Sequence, residues 1–217
     1  MIKSPIEYII FDMDGTLIDS ESVYTEGYRQ AFEKRHINIK LEEIESWTGK
    51  SSMSTLSRVD SYTKDRKISE QIRLERNNHF YECMENGTLT LKPNAKEIIK
   101  LCKKKGLKIG FATSTFEEVA SKVLHHFNLY TEFDIRIFGS DVKKLKPAPD
   151  IYLKAVRDSN IPPVATLVVE DSKVGVDSAH AANLKVVQLV DNSHNQPLTN
   201  PKAVKHITNL EELKSLL

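Results

Sequence analysis

Hydrophobic positions along this chain recur with two different periods, and the change of period divides it. Near the start, Tyr8-Ile9-Ile10-Phe11 is an unbroken apolar run, the pattern of a short strand buried on both faces. From Ile18 to about Gly87 the pattern is helical and strongly polar. Val23, Tyr24, Tyr28, Ala31 and Phe32 recur at steps of three and four, one stripe of a helix opened by Ser20. Weaker stripes of the same kind run over Glu42 to Trp47, Met53 to Tyr62 and Ser69 to Met84, and strand-like runs are absent. This region is predicted to be a small bundle of about four helices.

From Thr88 onward helices alternate with apolar strands. Pro93-Asn94 opens a helix with Ala95, Ile98, Ile99 and Cys102 inside, closed by Gly106. A strand from Leu107 to Ala112 follows, then a helix with Val119, Ala120, Val123, Leu124 and Phe127 inside. Phe133 to Phe138 reads as a strand, and Pro149 starts a helix through Ala155 and Val156. Thr166 to Val169 is a buried strand, Val174 to Ala182 a helix, and Lys185 to Val190 another strand. Such alternation predicts an α/β fold with a parallel, doubly wound sheet. The expected organisation is a core of residues 1–17 and 88–217, with residues 18–87 inserted as a helical cap. Two linkers would let the cap open and close over the strand ends.

Composition narrows the function without naming it. The chain has 217 residues, 40% hydrophobic and 28% charged, which is ordinary for a globular protein. A formal net charge of +1 gives no electrostatic reason to expect a nucleic-acid partner. The run Lys103-Lys104-Lys105 suits the last turn of a helix, where cations meet the negative end of the dipole. Cys83 and Cys102 lack metal-ligand spacing, and Cys102 falls on an apolar helix face. Two reduced thiols fit the cytoplasm. The first apolar run ends at Phe11, too short for a signal-peptide core or a membrane span. With no long exposed apolar stripe, the expectation is a monomer without a membrane partner.

The candidate chemistry lies at the strand ends, where doubly wound sheets bind ligands. The first strand runs into Asp12-Met13-Asp14-Gly15. Residues two apart on an extended segment point the same way, so two carboxylates share one small volume. Gly15 then permits a sharp turn. Crowded carboxylates need a cation or a shared proton, so the pair is a metal site, an acid/nucleophile pair, or both. The second strand ends in Thr113-Ser114-Thr115, either an anion site with the next helix's N–H groups or a plain N-cap. The third is followed by Lys146-Pro147-Ala148-Pro149; the stiff backbone either aims Lys146 inward or leaves it solvated before a Pro-started helix. The fourth ends in Glu170-Asp171-Ser172, a carboxylate pair suited to Mg2+ or a helix cap. Together they form a set that phosphoryl transfer requires.

FDMDGTLIDS, FATST, LKPAPD and VVEDSKVGV resemble the four motifs of the haloacid dehalogenase superfamily, over nearly all of the core. The nearest resemblance is to its β-phosphoglucomutase-like branch, which inserts a helical cap after the first motif. It implies that Asp12 is the nucleophile that forms an aspartyl-phosphate. It implies that Asp14 protonates the leaving oxygen and then deprotonates water. Thr113 and Lys146 would hold the phosphoryl oxygens, with Gly15 and Ser114 beside the phosphate. Mg2+ would be held by Asp12, the carbonyl of Asp14, Asp171, and Glu170 directly or through water. Dehalogenases and phosphonoacetaldehyde hydrolases of this superfamily do not keep an aspartate at the position of Asp14. The chain therefore resembles the phosphatases and phosphomutases.

A mutase must hold a second phosphate from its cap. β-Phosphoglucomutases resemble this chain around Trp47-Thr48-Gly49-Lys50-Ser51-Ser52 but carry an arginine where Ser52 stands, and a histidine where Tyr24 stands. Gly49 and Lys50 remain candidates for substrate contact, with Lys50 or Arg76 as the cap cation. The expected activity is hydrolysis of a small phosphorylated metabolite, a sugar phosphate or nucleotide. A sugar phosphomutase is the alternative, and a catalytically silent metabolite-binding relative is a third reading. Trp47 is expected either at the cap entrance or in the bundle core, and His79 either at substrate or apart from it. His125-His126 suits a helix C-terminus, and Asn183 a left-handed helix stop.

Overall fold

The computed structural model describes residues 5–47, 52–190 and 199–217. The chain divides into two compact units, Met1–Leu17 with Leu91–Leu217, and Ile18–Thr90.

The first unit holds a six-stranded, all-parallel sheet: β1 (Tyr8–Phe11), β2 (Lys108–Ala112), β3 (Ile135–Ile137), β4 (Thr166–Glu170), β5 (Lys185–Leu189) and β6 (Lys205–Ile207). Its order is β3-β2-β1-β4-β5-β6. Every residue of β1 is buried, as the unbroken apolar run requires of a strand paired on both sides. Helices α5 (Ala95–Lys104), α6 (Glu117–His126), α7 (Asp150–Ser159) and α8 (Lys173–Ala181) connect the strands. One face of the sheet seats Ile10, Val168 and Val186 against Ile151, Tyr152 and Ala155 of α7 and Val176 and Ala179 of α8. On α5, the predicted Ala95, Ile98, Ile99 and Cys102 are the buried residues, and Lys103 and Lys104 occupy the last turn. Asn183 adopts a left-handed φ of 58° just past α8, as a helix stop requires.

The second unit contains α1 (Glu21–Glu33), α2 (Leu41–Glu45), α3 (Ser52–Thr63) and α4 (Arg66–Glu85), and no strand among its described residues. Tyr28, Ala31, Phe32, Ile44, Trp47, Val59 and Ile72 form its core. Trp47 is 4% exposed and packs edge-on to Tyr28 and Phe32, so of its two expected places it takes the bundle core. Ser20 sits before α1 without a side-chain cap bond. Arg35 grips Glu75 with two hydrogen bonds of 2.8 and 3.0 Å, tying the turn that follows α1 to α4. Arg76 lies over the rings of Tyr24 and Tyr28 at 4.4 and 5.2 Å.

The chain leaves and re-enters the α/β unit through backbone paired on itself. Lys92 N–H donates to the Leu17 carbonyl at 2.8 Å, and Asp19 N–H to the Thr90 carbonyl at 2.9 Å. Two expectations need correction. The strand β6 was not foreseen, because in Lys205-His206-Ile207 only Ile207 is buried and no apolar pattern marks it. Neither Ser114 nor Thr115 caps α6; Phe116 holds that position, with no side-chain cap bond. No helix among the described residues is long and apolar enough to cross a membrane.

Candidate active site

The sheet order reverses between β1 and β4, and a crevice opens beyond the carboxyl ends of strands at such a point. β1 delivers Asp12 there, its N–H bonded to the Val169 carbonyl at 3.1 Å. β4 delivers Glu170 as its last residue and Asp171 next. Oxygens of Asp12, Glu170 and Asp171 all lie within 4.8 Å of one another. On the other flank, β2 ends just before Thr113, which is buried and bonded through its N–H to the Ile137 carbonyl.

Lys146 comes from the segment between β3 and α7, and its bond to Pro147 is cis. Its ammonium is buried and uses all three of its protons. They go to Asp12 Oδ1 at 2.5 Å, Glu170 Oε1 at 2.6 Å and the Ala112 carbonyl at 3.2 Å. Of the two readings of Lys146, the inward one is the geometry found.

The electrostatics follow from this burial. The Asp12 carboxyl is pushed up to about 8, first by desolvation and then by the Glu170 charge, with Lys146 pulling the other way and Asp14 adding to the rise. Burial alone would strip the proton from Lys146, but the Asp12 and Glu170 charges outweigh it and hold its pKa above the ordinary lysine value. Two buried carboxylates and a third close by against one ammonium leave a site short of positive charge. A hard divalent cation with oxygen ligands suits that deficit, so the donor set fits Mg2+.

Contacts around the loop fix the remaining groups. Gly15 has φ +75°, and a Cβ there would lie 2.1 Å from an Asp171 carboxylate oxygen, so only glycine fits. Thr16 Oγ1 donates to Asp171 Oδ1 at 3.1 Å, and Gln188 Nε2 to the Asp171 carbonyl at 2.8 Å. Asp14 is half-buried, and the Thr115 hydroxyl donates to its Oδ2 at 2.8 Å. The Thr115 N–H in turn donates to Thr113 Oγ1 at 3.0 Å. Ser172, not Asp171, caps α8, accepting from Gly175 N–H.

Asp12, Asp14, Gly15, Thr113, Lys146, Glu170 and Asp171 therefore meet at one end of the sheet, with Ser114 half-buried in the Thr113 turn. Gly49 and Lys50 lie outside the described residues. His79 is half-buried in α4 with Nε2 3.4 Å from Cys83 Sγ, and His125 and His126 are exposed at the end of α6. Sequence reasoning did not find the Thr115 bond to Asp14, nor Tyr152, whose hydroxyl donates to Glu170 Oε1 at 2.6 Å. Thr115 at least stood in a run of hydroxyls; Tyr152 carries no signal beyond its place on an apolar helix face. Two carboxylates at the end of β1, a buried lysine, a hydroxyl and an acidic cluster that could hold a cation make an arrangement with the groups that phosphoryl transfer uses.

Comparison with known proteins agrees on the class. The model of the haloacid dehalogenase-like hydrolase family matches residues 9–189. A phosphorylated carbohydrates phosphatase of Thermotoga maritima is 32% identical over 197 residues, covering 88% of this chain and 88% of that protein. A Drosophila melanogaster protein provisionally assigned as a pseudouridine-5'-phosphatase is 30% identical over 217 residues, covering 96% of this chain and 92% of its own. A crystal structure from Thermotoga maritima, provisionally assigned as a β-phosphoglucomutase, superposes with a TM-score of 0.78 at 30% identity. It covers 98% of this chain and 100% of that one.

Proposed function

The chain belongs to the haloacid dehalogenase-like hydrolases, and on that premise we propose that it is a Mg2+-dependent phosphatase of small phosphomonoesters, phosphorylated carbohydrates foremost. The observation that carries the reading is the buried contact of Asp12 with Lys146 beside the Asp171 and Glu170 carboxylates. The relative that acts on phosphorylated carbohydrates supports the substrate class.

In this reading an Asp12 carboxylate oxygen attacks phosphorus, forming the acyl-phosphate bond as the ester P–O bond breaks. Asp14, held at the site's edge by Thr115, gives its proton to the departing alkoxide. The same carboxylate then takes a proton from water as the water's oxygen attacks phosphorus, releasing inorganic phosphate and restoring Asp12. Lys146 and the Thr113 hydroxyl hold the non-bridging oxygens throughout. Asp12, Asp171 and the Asp14 carbonyl are the groups that would hold the metal, with Glu170 beside them. When bound, Mg2+ supplies the charge neutralisation that lets an anionic carboxylate meet an anionic phosphate. The helical unit Ile18–Thr90 serves as the cap, and the free, buried Cys83 and Cys102 suit a reducing cytoplasm.

The test is a phosphate-release screen of sugar phosphates, nucleotides and other small monoesters with Mg2+. Release should require Mg2+, stop with EDTA and favour a phosphorylated carbohydrate. Interconversion of β-glucose 1-phosphate and glucose 6-phosphate without phosphate release would overturn the assignment in favour of a mutase.

A further inference from the structure

The mechanism above gives no task to Tyr152, a buried polar group at the site. Tyr152 lies in the first turn of α7, is fully buried, and packs its ring among Ile10, Ile151, Ala155 and Val168. Its ring would fill that apolar site equally well as phenylalanine. The hydroxyl, however, is aimed away from the hydrocarbon and donates to Glu170 Oε1 at 2.6 Å. The same oxygen accepts from Lys146 Nζ at 2.6 Å, and the Tyr152 ring centroid lies 5.0 Å from that nitrogen.

The other Glu170 oxygen is also taken. Oε2 accepts from the Ser172 N–H at 3.3 Å and the Ser172 hydroxyl at 3.2 Å. Four donors, two on each oxygen, match the carboxylate's four acceptor positions. The wall behind it is equally closed: a Cβ at Gly175 would lie 1.9 to 2.1 Å from the Glu170 carboxyl atoms. Glu170 thus has one orientation, and in that orientation it faces Lys146.

We propose that Tyr152 is a positioning residue: its hydroxyl fixes Glu170, and through Glu170 it fixes the Lys146 ammonium that grips the transferring phosphoryl group. A lysine head on a four-carbon stem has no rigidity of its own. Here its place is set by the Ala112 carbonyl and by a carboxylate that is itself pinned. Asp12 alone could not set it, because Asp12 changes its bonding when it attacks. The assignment also gives Glu170 to the lysine rather than to the metal, whose charge would then be met by Asp12 and Asp171.

This inference rests on the phosphatase reading, and its test separates the two. Y152F removes the donor and keeps the ring. It should melt close to wild type, bind Mg2+ with a dissociation constant within about twofold of wild type, and keep KM. Its kcat should fall about tenfold, and calorimetry should show beryllofluoride, an aspartyl-phosphate mimic, binding about tenfold more weakly in Mg2+. A Y152F protein with wild-type kcat and wild-type beryllofluoride affinity would overturn the proposal whatever its melting temperature. So would a shift of about tenfold or more in the Mg2+ dissociation constant, which would put Glu170 on the metal. S172A, which removes one donor from Oε2 together with the α8 cap bond to Gly175 N–H, should melt lower and show the same split in kcat and beryllofluoride affinity more weakly; an unaltered kcat in S172A beside a crippled Y152F still supports the proposal. If the wild-type protein released no phosphate from any monoester, the reading of function would fall. The beryllofluoride arm would still decide Tyr152.

Discussion

In the α/β unit three charged side chains, Asp12, Lys146 and Glu170, are sealed from solvent, each less than a tenth exposed. In the helical unit the ion pairs keep contact with solvent: Arg29 with Glu26 and Glu33 and Arg66 with Asp60 and Glu70 at the surface, Arg35 with Glu75 half-buried. The contrast separates two uses of charge. Buried ions are costly and persist where the geometry is needed for chemistry; surface pairs contribute little and can be exchanged. What stabilises the helical unit is instead its aromatic cluster of Tyr28, Phe32, Trp47 and Tyr62.

The sharpest way to break that comparison is to neutralise buried Asp12, the nucleophile of the proposed reaction. D12N should lower phosphate release by about a thousandfold or more, read by inorganic phosphate assay, with the circular dichroism spectrum unchanged. Residual turnover near wild type would mean that the chemistry is not seated in the α/β unit. The second experiment goes to the helical core. Phe32 is fully buried, so F32A should cost about 3–5 kcal/mol, seen as an early, separate transition in calorimetry. Mg2+ and beryllofluoride binding to the α/β unit should survive below that transition.

The third turns on pH, where the two units should slope in opposite directions. Glu26 and Glu75 are held down to about 2, each first by a hydrogen bond from its arginine partner, Arg29 or Arg35. Their folded pKa values lie below the unfolded value of 4.5, so their contribution is full above pH 4.5 and is lost as pH falls toward 2. Asp12 is raised from 3.8 to about 8, so its contribution without a cation is full below pH 3.8 and is lost as pH rises through 8. Melting in EDTA from pH 2 to 8 should therefore show the helical unit gaining stability up to about pH 4.5 and the α/β unit losing it as pH rises from 3.8 through 8, a fall that D12N flattens. The smallest expected effect is R35K, which exchanges a two-bond grip on Glu75 for a point charge. It should shift the helical unit's stability by less than about 1 kcal/mol and leave phosphate release untouched.

The same two units differ in how far their sequences could be read. Strands β1, β2, β4 and β5 were legible because a strand buried on both faces leaves an unbroken apolar run. The residues at their ends are then placed by topology, which is why Asp12 and Asp171 are legible in the sequence, whereas Lys146, in the segment between β3 and α7, takes its inward place only from the resemblance of LKPAPD to a family motif. Pairings across the sheet were not legible. Thr115 with Asp14 and Tyr152 with Glu170 join residues from different strand ends, and their distance depends on the sheet order. β6 escaped because a three-residue edge strand with one buried side chain has no period to detect. In the helical unit the periodicity showed helices, but nothing in a polar stripe says which exposed side chain meets a substrate.

The paired backbone at Leu17–Lys92 and Asp19–Thr90 bears on how this enzyme can change over evolutionary time. The stretch between enters and leaves through one hydrogen-bonded neck, so to the sheet it is no more than a long hairpin turn. Lengthening a closed loop is cheap, about 0.6 kcal/mol for each doubling. Segments of other lengths and sequences can therefore be grafted at this neck without loosening the strand that carries Asp12. A single catalytic chassis can acquire new substrates by exchanging one contiguous block of sequence.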